Sequence, residues 1–208
     1  MPLWRKGYHY GLSLEEVTRS RALLALEMNG EPLPRPRGFP VRMVIPGIYS
    51  MSHVKWLGHI EGKTEPHMGI HNRFVFTNKE RKDGKWERVQ ARWIGLKSMI
   101  TRCQRADDGW RLTGWAWGGG EPIERVDVTT DGGATWQPAQ LHTPREYFGA
   151  ELPEESFEHA WSVFDFRWRG PAPGSHMLAS RAYAAGGRAQ AMEEDPDVKG
   201  HFNQTRVK

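Results

Sequence analysis

The sequence predicts a mainly β protein, with an antiparallel β-sandwich in its second half and a smaller mixture of helix, strand and loop before it. Three observations carry this. From about Gln90 onward, apolar and polar residues alternate in short runs with no helical period between them. Turn-forming residues separate these runs at Asp108-Gly109, Gly118-Gly119-Gly120, Asp131-Gly132-Gly133 and Pro171-Ala172-Pro173-Gly174. With 208 residues, 38% of them apolar and 11% aromatic, the chain can bury a core of its own.

Near the start, Ser13-Leu14-Glu15-Glu16 fits a capping box, in which the Ser side chain accepts from first-turn amides and Glu16 reaches back to the Ser13 amide. A short helix to about Arg19 follows. Ala22 to Met28 reads as a strand, and Asn29-Gly30 tolerates the positive φ angles of a tight turn. The stretch from Pro32 to Pro40 is expected to be extended, because Pro34, Pro36 and Pro40 lack amide donors and disfavour helix in the residue before each. Val41 to Ile45, short, apolar and closed by Pro46-Gly47, reads as a buried strand running into a turn. Gly62 to Glu87 is polar and aperiodic, a long connection with a hairpin about Asp83-Gly84. Arg92–Thr101, Trp110–Trp117, Ile123–Thr130, Thr135–Leu141, Ser156–Trp168 and His176–Tyr183 then read as successive strands, and such spacing without intervening helices argues for a sandwich. The cluster Trp110, Trp115, Trp117, Trp136, Trp161 and Trp168 is expected in core and interface.

Composition narrows the function classes. The net charge of +4 and the pI near 9.3 permit nucleic-acid binding, but Lys and Arg are interspersed with Asp and Glu and form no polybasic block, so no nucleic-acid partner is expected. Between Met1 and Ile60 the cations Arg5, Lys6, Arg19, Arg21, Arg35, Arg37, Arg42 and Lys55 outnumber Glu15, Glu16, Glu27 and Glu31, which suits either an anionic ligand or a solvated face. One cysteine, Cys103, excludes an internal disulfide and a Cys-rich metal cage and leaves the compartment open. No apolar run approaches membrane-spanning length, so no span is expected; the start MPLWRKGYHYG shows no apolar core of a secretory signal in the chain as given, and a soluble protein of either cytoplasm or periplasm is expected.

Chemistry concentrates between Gly38 and Gly58. A strand end followed by a loop brings Arg42, His53 and Lys55 within reach of one another, and guanidinium, imidazole and ammonium groups all donate to phosphate or carboxylate oxygens. His53, His59, His67 and His71 also fall close in sequence, and His67 and His71 have the i, i+4 spacing of a helical metal pair. Pro66 and Gly69 speak against a helix there, and no carboxylate or Cys completes a ligand set, so no metal site is expected.

The segment MNGEPLPRPRGFPVRMVIPG followed by SHVKWLG resembles the late part of the molybdopterin-binding domain of the sulfite oxidase family. In the second half, KSMITR, LTGWAWGGGEPIERVDVTTDGGATWQPAQL and SRAYAAGGRAQ resemble the immunoglobulin-like dimerisation domain that follows it in that family. The resemblance implies a partial α+β molybdopterin-binding domain at residues 1–62, a connection at 63–90, and an immunoglobulin-like antiparallel β-sandwich at 91–208. It implies a molybdenum–molybdopterin cofactor, held on this chain's side by Arg42 of the PVR segment, by His53, Val54 and Lys55, and by Arg37 at a position where the family often has His. It further implies a homodimer formed through the sandwich, and oxidation of sulfite or a related sulfur compound by oxygen-atom transfer.

The family pattern is only partly present. The segment that supplies a cysteine thiolate to molybdenum has no counterpart here, and Cys103 falls where the family has no metal ligand. The catalytic tyrosine expected some twenty residues beyond HVK is replaced by Arg73-Phe74-Val75-Phe76, and a phenyl ring cannot donate to a substrate. Phe164 occupies the place of the anion-pocket arginine that follows an Ala-Trp pair in animal members; Arg167 would substitute only if the strand register slipped. No catalytic residue is therefore assigned. The chain reads as the C-terminal portion of a molybdenum oxidoreductase, incomplete for catalysis by itself. The alternative is a dimerisation or assembly module for a separate chain carrying the missing cofactor-domain portion. A generic immunoglobulin-like binding domain ranks last, because it leaves PVR and HVK unexplained.

Overall fold

The chain separates into two compact units, Met1–Trp93 and Ile94–Lys208. The computed structural model describes residues 7–67, 69–149, 151, 157 and 159–193. Arg5, Lys6, the predicted strand start at Ser156 and the part of the predicted dimerisation domain beyond 193 lie outside them.

In the first unit, helix α1 (Leu14–Arg19) begins at the capping box its sequence spells. Ser13 Oγ accepts from the Glu16 amide at 3.2 Å, and the Glu16 carboxylate accepts from the Ser13 amide at 2.7 Å. The Glu16 carboxylate also pairs with Arg92, which anchors the helix to the far end of the unit. The strand expected over Ala22–Met28 is broken into β1 (Leu23–Ala25) and β2 (Glu27–Met28). β2 turns through Asn29 and Gly30, at φ +56° and +79°, into β3 (Glu31–Pro32); two successive positive φ angles are what a two-residue hairpin requires.

The Pro-rich segment is not extended throughout. Arg35–Arg37 closes a 3-10 turn, with the Arg37 amide donating to the Pro34 carbonyl at 2.8 Å. Pro36 is accommodated because it lies in the first turn of a helix, where an amide has no intrahelical partner to lose. β4 (Arg42–Val44) pairs antiparallel with β1, half-buried where full burial was expected, and Ile45 just beyond it is fully buried.

A second 3-10 turn spans Ser50–Ser52, and a π-helical turn spans His71–Val75. The hairpin expected about Asp83-Gly84 forms as β5 (Thr77–Lys82) and β6 (Lys85–Gln90). Asn72 pins the N-terminal segment to this region, its Nδ2 donating to the Gly11 carbonyl at 2.9 Å while the Gly11 amide donates to its Oδ1 at 3.2 Å.

The second unit is a sandwich of two antiparallel sheets. Its strands are β7 (Lys97–Ala106), β8 (Gly109–Trp117), β9 (Ile123–Thr129), β10 (Gln137–Pro138), β11 (Gln140–His142), β12 (Ser162–Arg169) and β13 (Ala179–Ala184). One sheet has the order β10-β9-β13 and the other β11-β12-β8-β7. The single strand expected over Thr135–Leu141 is two, because the chain leaves one sheet at Pro138 and joins the other at Gln140. A short helix, α2 (Pro144–Phe148), interrupts the strands; its signal, Thr143-Pro144-Arg145-Glu146, is a capping box with Pro at the first helical position.

Leu112, Ala116, Val126, Val128, Phe164, Phe166, Ala182 and Ala184 from the facing sheets form the core. Gly114 is required there, since a Cβ at that position would lie 2.3 Å from the Phe164 ring. The tryptophans do not form this core. Trp115 and Trp117 stand half-buried on the opposite face of β8, Trp117 edge-on to Trp161 at 4.7 Å, and only Trp168 packs against the core from its margin. Gln190 ties the chain after β13 to the β7 edge, its Oε1 accepting from the Ser98 amide and hydroxyl at 2.7 Å each and from the Ala182 amide at 3.2 Å.

Asp165 is the buried anion of the outer face. Arg111 Nε and Nη2 donate to its Oδ1 at 3.0 and 2.8 Å, and His142 Nε2 lies 2.7 Å from Oδ2. Burial pushes the carboxyl up, but the hydrogen bonds from His142 and Arg111 and the guanidinium charge outweigh it and hold the group below the usual carboxylate range. A pKa depressed in the folded state gives stability that is present above the unfolded value, near 3.8, and lost as pH falls through the folded one. Asp165→Asn is expected to lower unfolding free energy at pH 7 by roughly 1–3 kcal/mol in urea titrations. The gap from the parent chain is expected to narrow below about pH 4.

Candidate functional site

The sequence-predicted ligand residues are brought together by backbone. The segment 54–57 runs alongside β4, with the Met43 amide donating to the Val54 carbonyl and the Leu57 amide to the Val41 carbonyl, both at 2.9 Å. This places Lys55 and Trp56 against the 35–38 turn. Three successive carbonyls of that turn then take three side chains. Trp56 Nε1 donates to Arg35 O at 3.0 Å, Lys55 Nζ to Pro36 O at 3.1 Å, and Arg42 Nη1 to Arg37 O at 3.1 Å. The Arg35 carbonyl also accepts from the Gly38 amide at 3.1 Å. The carbonyls at the end of a helical turn carry partial negative charge, so cationic and indole donors are their natural complements.

Gly38 closes the turn at φ +116°, and a Cβ there would lie 3.0 Å from Arg42 Cβ and 3.3 Å from Lys55 Cβ. The Arg42 and Lys55 stems therefore flank the glycine. Lys55 Nζ also stands 4.7 Å from the centre of the Trp56 ring, which holds its ammonium by a cation–π contact. Arg42 Nε is buried and has no hydrogen-bond partner among the described residues. A guanidinium N–H in that condition is a donor in want of an acceptor. The Arg37 guanidinium is exposed and makes no ion pair among the described residues.

His53 and Val54 play a different part. His53 Nε2 is 2.8 Å from the Ile45 carbonyl, an acceptor only, so the Nε2 proton is engaged there and the neutral ring offers only a lone pair at Nδ1. Burial pushes the imidazole below its ordinary value, the Ile45 carbonyl opposes the shift, and the nearby Arg42 charge adds to it. Val54 contributes backbone: its amide donates to the Ser52 carbonyl at 3.1 Å and its carbonyl takes the Met43 amide. Trp56, Gly38 and the Arg35 carbonyl were not singled out from sequence; Trp56 sits directly after HVK, and its adjacency was the available signal.

The histidines disperse. His71 packs against Tyr8 at 4.6 Å and Phe76 at 5.8 Å, while His67 lies 6.4 Å from His9. Among the described residues no group of three or more His, Cys, Asp or Glu is placed to hold a metal. Cys103 is exposed on β7 in the second unit, opposite Leu112 of β8. Phe164 is fully buried over Gly114, and β12 runs in unbroken register with β8, so Arg167 stays on the outer face 3.4 Å from Asp108.

Comparison with known proteins agrees with this division. Residues 2–71 match the family described as oxidoreductase molybdopterin binding domain, and residues 96–205 match the Mo-co oxidoreductase dimerisation domain. The mitochondrial sulfite oxidase of Rattus norvegicus is 34% identical over 191 residues, covering 80% of this chain and 32% of that protein. Inducible nitrate reductase [NADH] 2 of Glycine max is 33% identical over 168 residues, covering 67% of this chain and 18% of that protein. Among solved structures, the sulfane dehydrogenase SoxCD from Paracoccus pantotrophus has a TM-score of 0.69 and 28% identity, covering 87% of this chain and 44% of that one. The chain thus spans a third or less of the two curated relatives' length.

Two outcomes test the geometry. Gly38→Ala is expected to cost about 1–3 kcal/mol, from the strained φ and the crowding of Arg42 and Lys55, measured by thermal unfolding of the full chain. His53 is expected to titrate below its ordinary value of 6.5 in an NMR pH series. Replacing Arg42 by Met is expected to move that midpoint up, because a repelling charge is removed.

Proposed function

The chain belongs to the sulfite oxidase family of molybdopterin-dependent oxidoreductases, and from that premise we propose that it is the C-terminal portion of such an enzyme. In this reading residues 1–62 supply one wall of the pterin site, 63–90 connect, and 91–208 pair two copies of the chain. The parent reaction is oxidation of sulfite or a related sulfur compound by oxygen-atom transfer. The likeness to both a sulfite oxidase and a nitrate reductase leaves the oxyanion itself to experiment.

The observation that carries the proposal is the donor set around Gly38. Among the described residues Arg42 Nε is a buried donor with no partner and the Arg37 guanidinium makes no ion pair, while the Lys55 ammonium uses one N–H on Pro36. These groups fit an anion of the size of the pterin's phosphate, and the absence of a side chain at Gly38 lets it approach the backbone. When bound, the cofactor supplies the redox chemistry and the oxygen-transfer centre. The chain's own residues bind and orient: Arg42 by a charge-assisted hydrogen bond from Nε, Lys55 and Arg37 by charge, and Val54 and His53 by fixing the loop. Protonation of His53 adds a positive charge close to Arg42, so anion affinity rises as pH falls through its depressed pKa.

A second reading, a non-catalytic dimerisation module for a separate cofactor-bearing subunit, is favoured by Phe74 and by the buried Phe164 over Gly114, neither of which can donate to an oxyanion.

For the anion site, the Arg42 Nε–H NMR signal of the full chain is expected to shift on addition of millimolar inorganic phosphate. Lys55→Ala is expected to weaken that binding about 3- to 10-fold, or about 1 kcal/mol. An Arg42 signal indifferent to phosphate would sink the assignment. Metal and pterin analysis of the chain purified from a molybdopterin-producing host is expected to give well below one molybdenum per chain; stoichiometric metal would show that it holds the cofactor unaided.

A further inference from the structure

One end of the sandwich is open, and a cleft of about 690 Å³ enters it, built wholly from the second unit. Its first wall continues the inner face of the β11-β12-β8-β7 sheet. Leu112, Phe164 and Phe166 point inward from that sheet, so Trp110, two residues before Leu112, and Trp168, two residues after Phe166, point inward as well. Residues directly opposite in an antiparallel ladder share a face, and the register sets Trp168 and Arg105 on either side of Trp110, and Cys103 beside Leu112. Yet Trp110 is 36% exposed, and Arg105 and Cys103 are exposed too, so the facing sheet does not cover this end.

The second wall is the 170–178 loop that carries the chain from β12 to β13, with Pro171, Pro173 and Leu178 lining the cleft. The loop is held in place. His176 Nε2 is 2.8 Å from the Ala172 carbonyl, its ring meets Trp168 edge-on at 4.7 Å, and the two prolines restrict the backbone before it. Two exposed charged residues complete the lining. Asp108 is occupied by Arg167 and Arg169 at 3.4 and 3.1 Å, whereas Arg105 and Asp107, which line the cleft, make no ion pair among the described residues. With His176 neutral, the formal charges of the lining cancel.

A ligand for this cleft therefore needs apolar ring faces, a polar edge that both donates and accepts, and no net charge. Arg105 can only donate and Asp107 can only accept, so an aromatic anion would meet the Asp107 carboxylate and an aromatic cation the Arg105 guanidinium. Sugar rings meet all three conditions, because their C–H faces pack on indoles and each hydroxyl both donates and accepts. Trp110 and Trp168 lie on adjacent strands, about 4.8 Å apart, close to the advance per ring of a glucose chain. From this arrangement we infer that the open end of the sandwich is a saccharide-binding site: consecutive rings of a neutral oligosaccharide lie on Trp110 and Trp168, and their hydroxyls accept from Arg105 and donate to Asp107. The site belongs to the second unit alone and stands whether or not the first unit holds a cofactor.

The test uses the full chain, in which Cys103 is the one cysteine and lines the cleft, so its alkylation by iodoacetamide reports occupancy. Millimolar cellotetraose, whose glucose rings follow one another in a flat ribbon, is expected to slow that alkylation at least about fivefold. Sorbitol, which carries hydroxyls without a ring face, is expected to leave it unchanged. Trp110→Ala is expected to weaken cellotetraose binding about 10-fold in calorimetric titration, while Trp110→Phe stays within about threefold because it keeps a ring. Asp107→Asn is expected to weaken it about 3- to 10-fold. All three variants are expected to match the parent in circular dichroism, since both positions are exposed. Alkylation indifferent to cellotetraose, equal protection by sorbitol, or a Trp110→Ala chain that binds as the parent does would overturn the inference. So would protection by adenosine in place of cellotetraose, which would assign the cleft to a heteroaromatic base. Protection that rises with chain concentration in the absence of sugar would overturn it as well, by assigning the cleft to a second copy.

Discussion

Three consecutive carbonyls, those of Arg35, Pro36 and Arg37, hold the first unit's chemistry in place. They accept from Trp56, Lys55 and Arg42, and by doing so fix two cationic side chains within a few ångströms of a glycine that leaves the backbone bare. The capture depends on the 3-10 turn, because an extended Arg35–Arg37 would point successive carbonyls to opposite sides. It also depends on Gly38, whose left-handed φ ends the turn where the two cationic stems converge. Remove either, and Arg42 and Lys55 become ordinary surface cations.

The second unit is governed by steric fit. Phe164 fills the sandwich centre only because Gly114 opposite it has no side chain, and the β12–β8 register that brings the two together also sends Asp165 and Arg167 outward. One alternation thus decides both the core and the outer polar face, where Asp165 gathers Arg111 and His142. An oxyanion-binding arginine cannot be had from this strand without giving up the core, since a slip of one residue would exchange the two faces.

The family to which the chain belongs pairs a cofactor domain with a dimerisation domain, and the two units have correspondingly different characters. The sandwich has a closed apolar core with paired strands, whereas the first unit buries Leu33, Ile45, Ile48 and Ala91 and leaves Leu14, Leu23, Leu24 and Leu26 substantially exposed. The first unit thus shows leucines to solvent and commits the backbone carbonyls of its 35–37 turn to cationic and indole donors.

The sequence by itself determined whatever local chemistry dictates. The Ser13–Glu16 cap, the Asn29-Gly30 and Asp83-Gly84 hairpins, the alternation that makes a sandwich and the proximity of Arg42 to the HVK tripeptide were all legible, because each rests on residues adjacent in the chain or on a two-residue period. Helix α2 was equally local, but its capping box at Thr143–Glu146 lay within a run of strands. Only the tertiary structure decided that the Pro-rich segment bends, since Pro36 is as compatible with a first helical turn as with an extended chain, and the choice was made by donors nineteen and twenty-one residues away in sequence. It likewise decided that the tryptophans stand outside the core, that the strand after Trp136 divides between two sheets, and that His53 spends its proton on Ile45. These outcomes depend on which distant surface a side chain meets, and no periodicity records that.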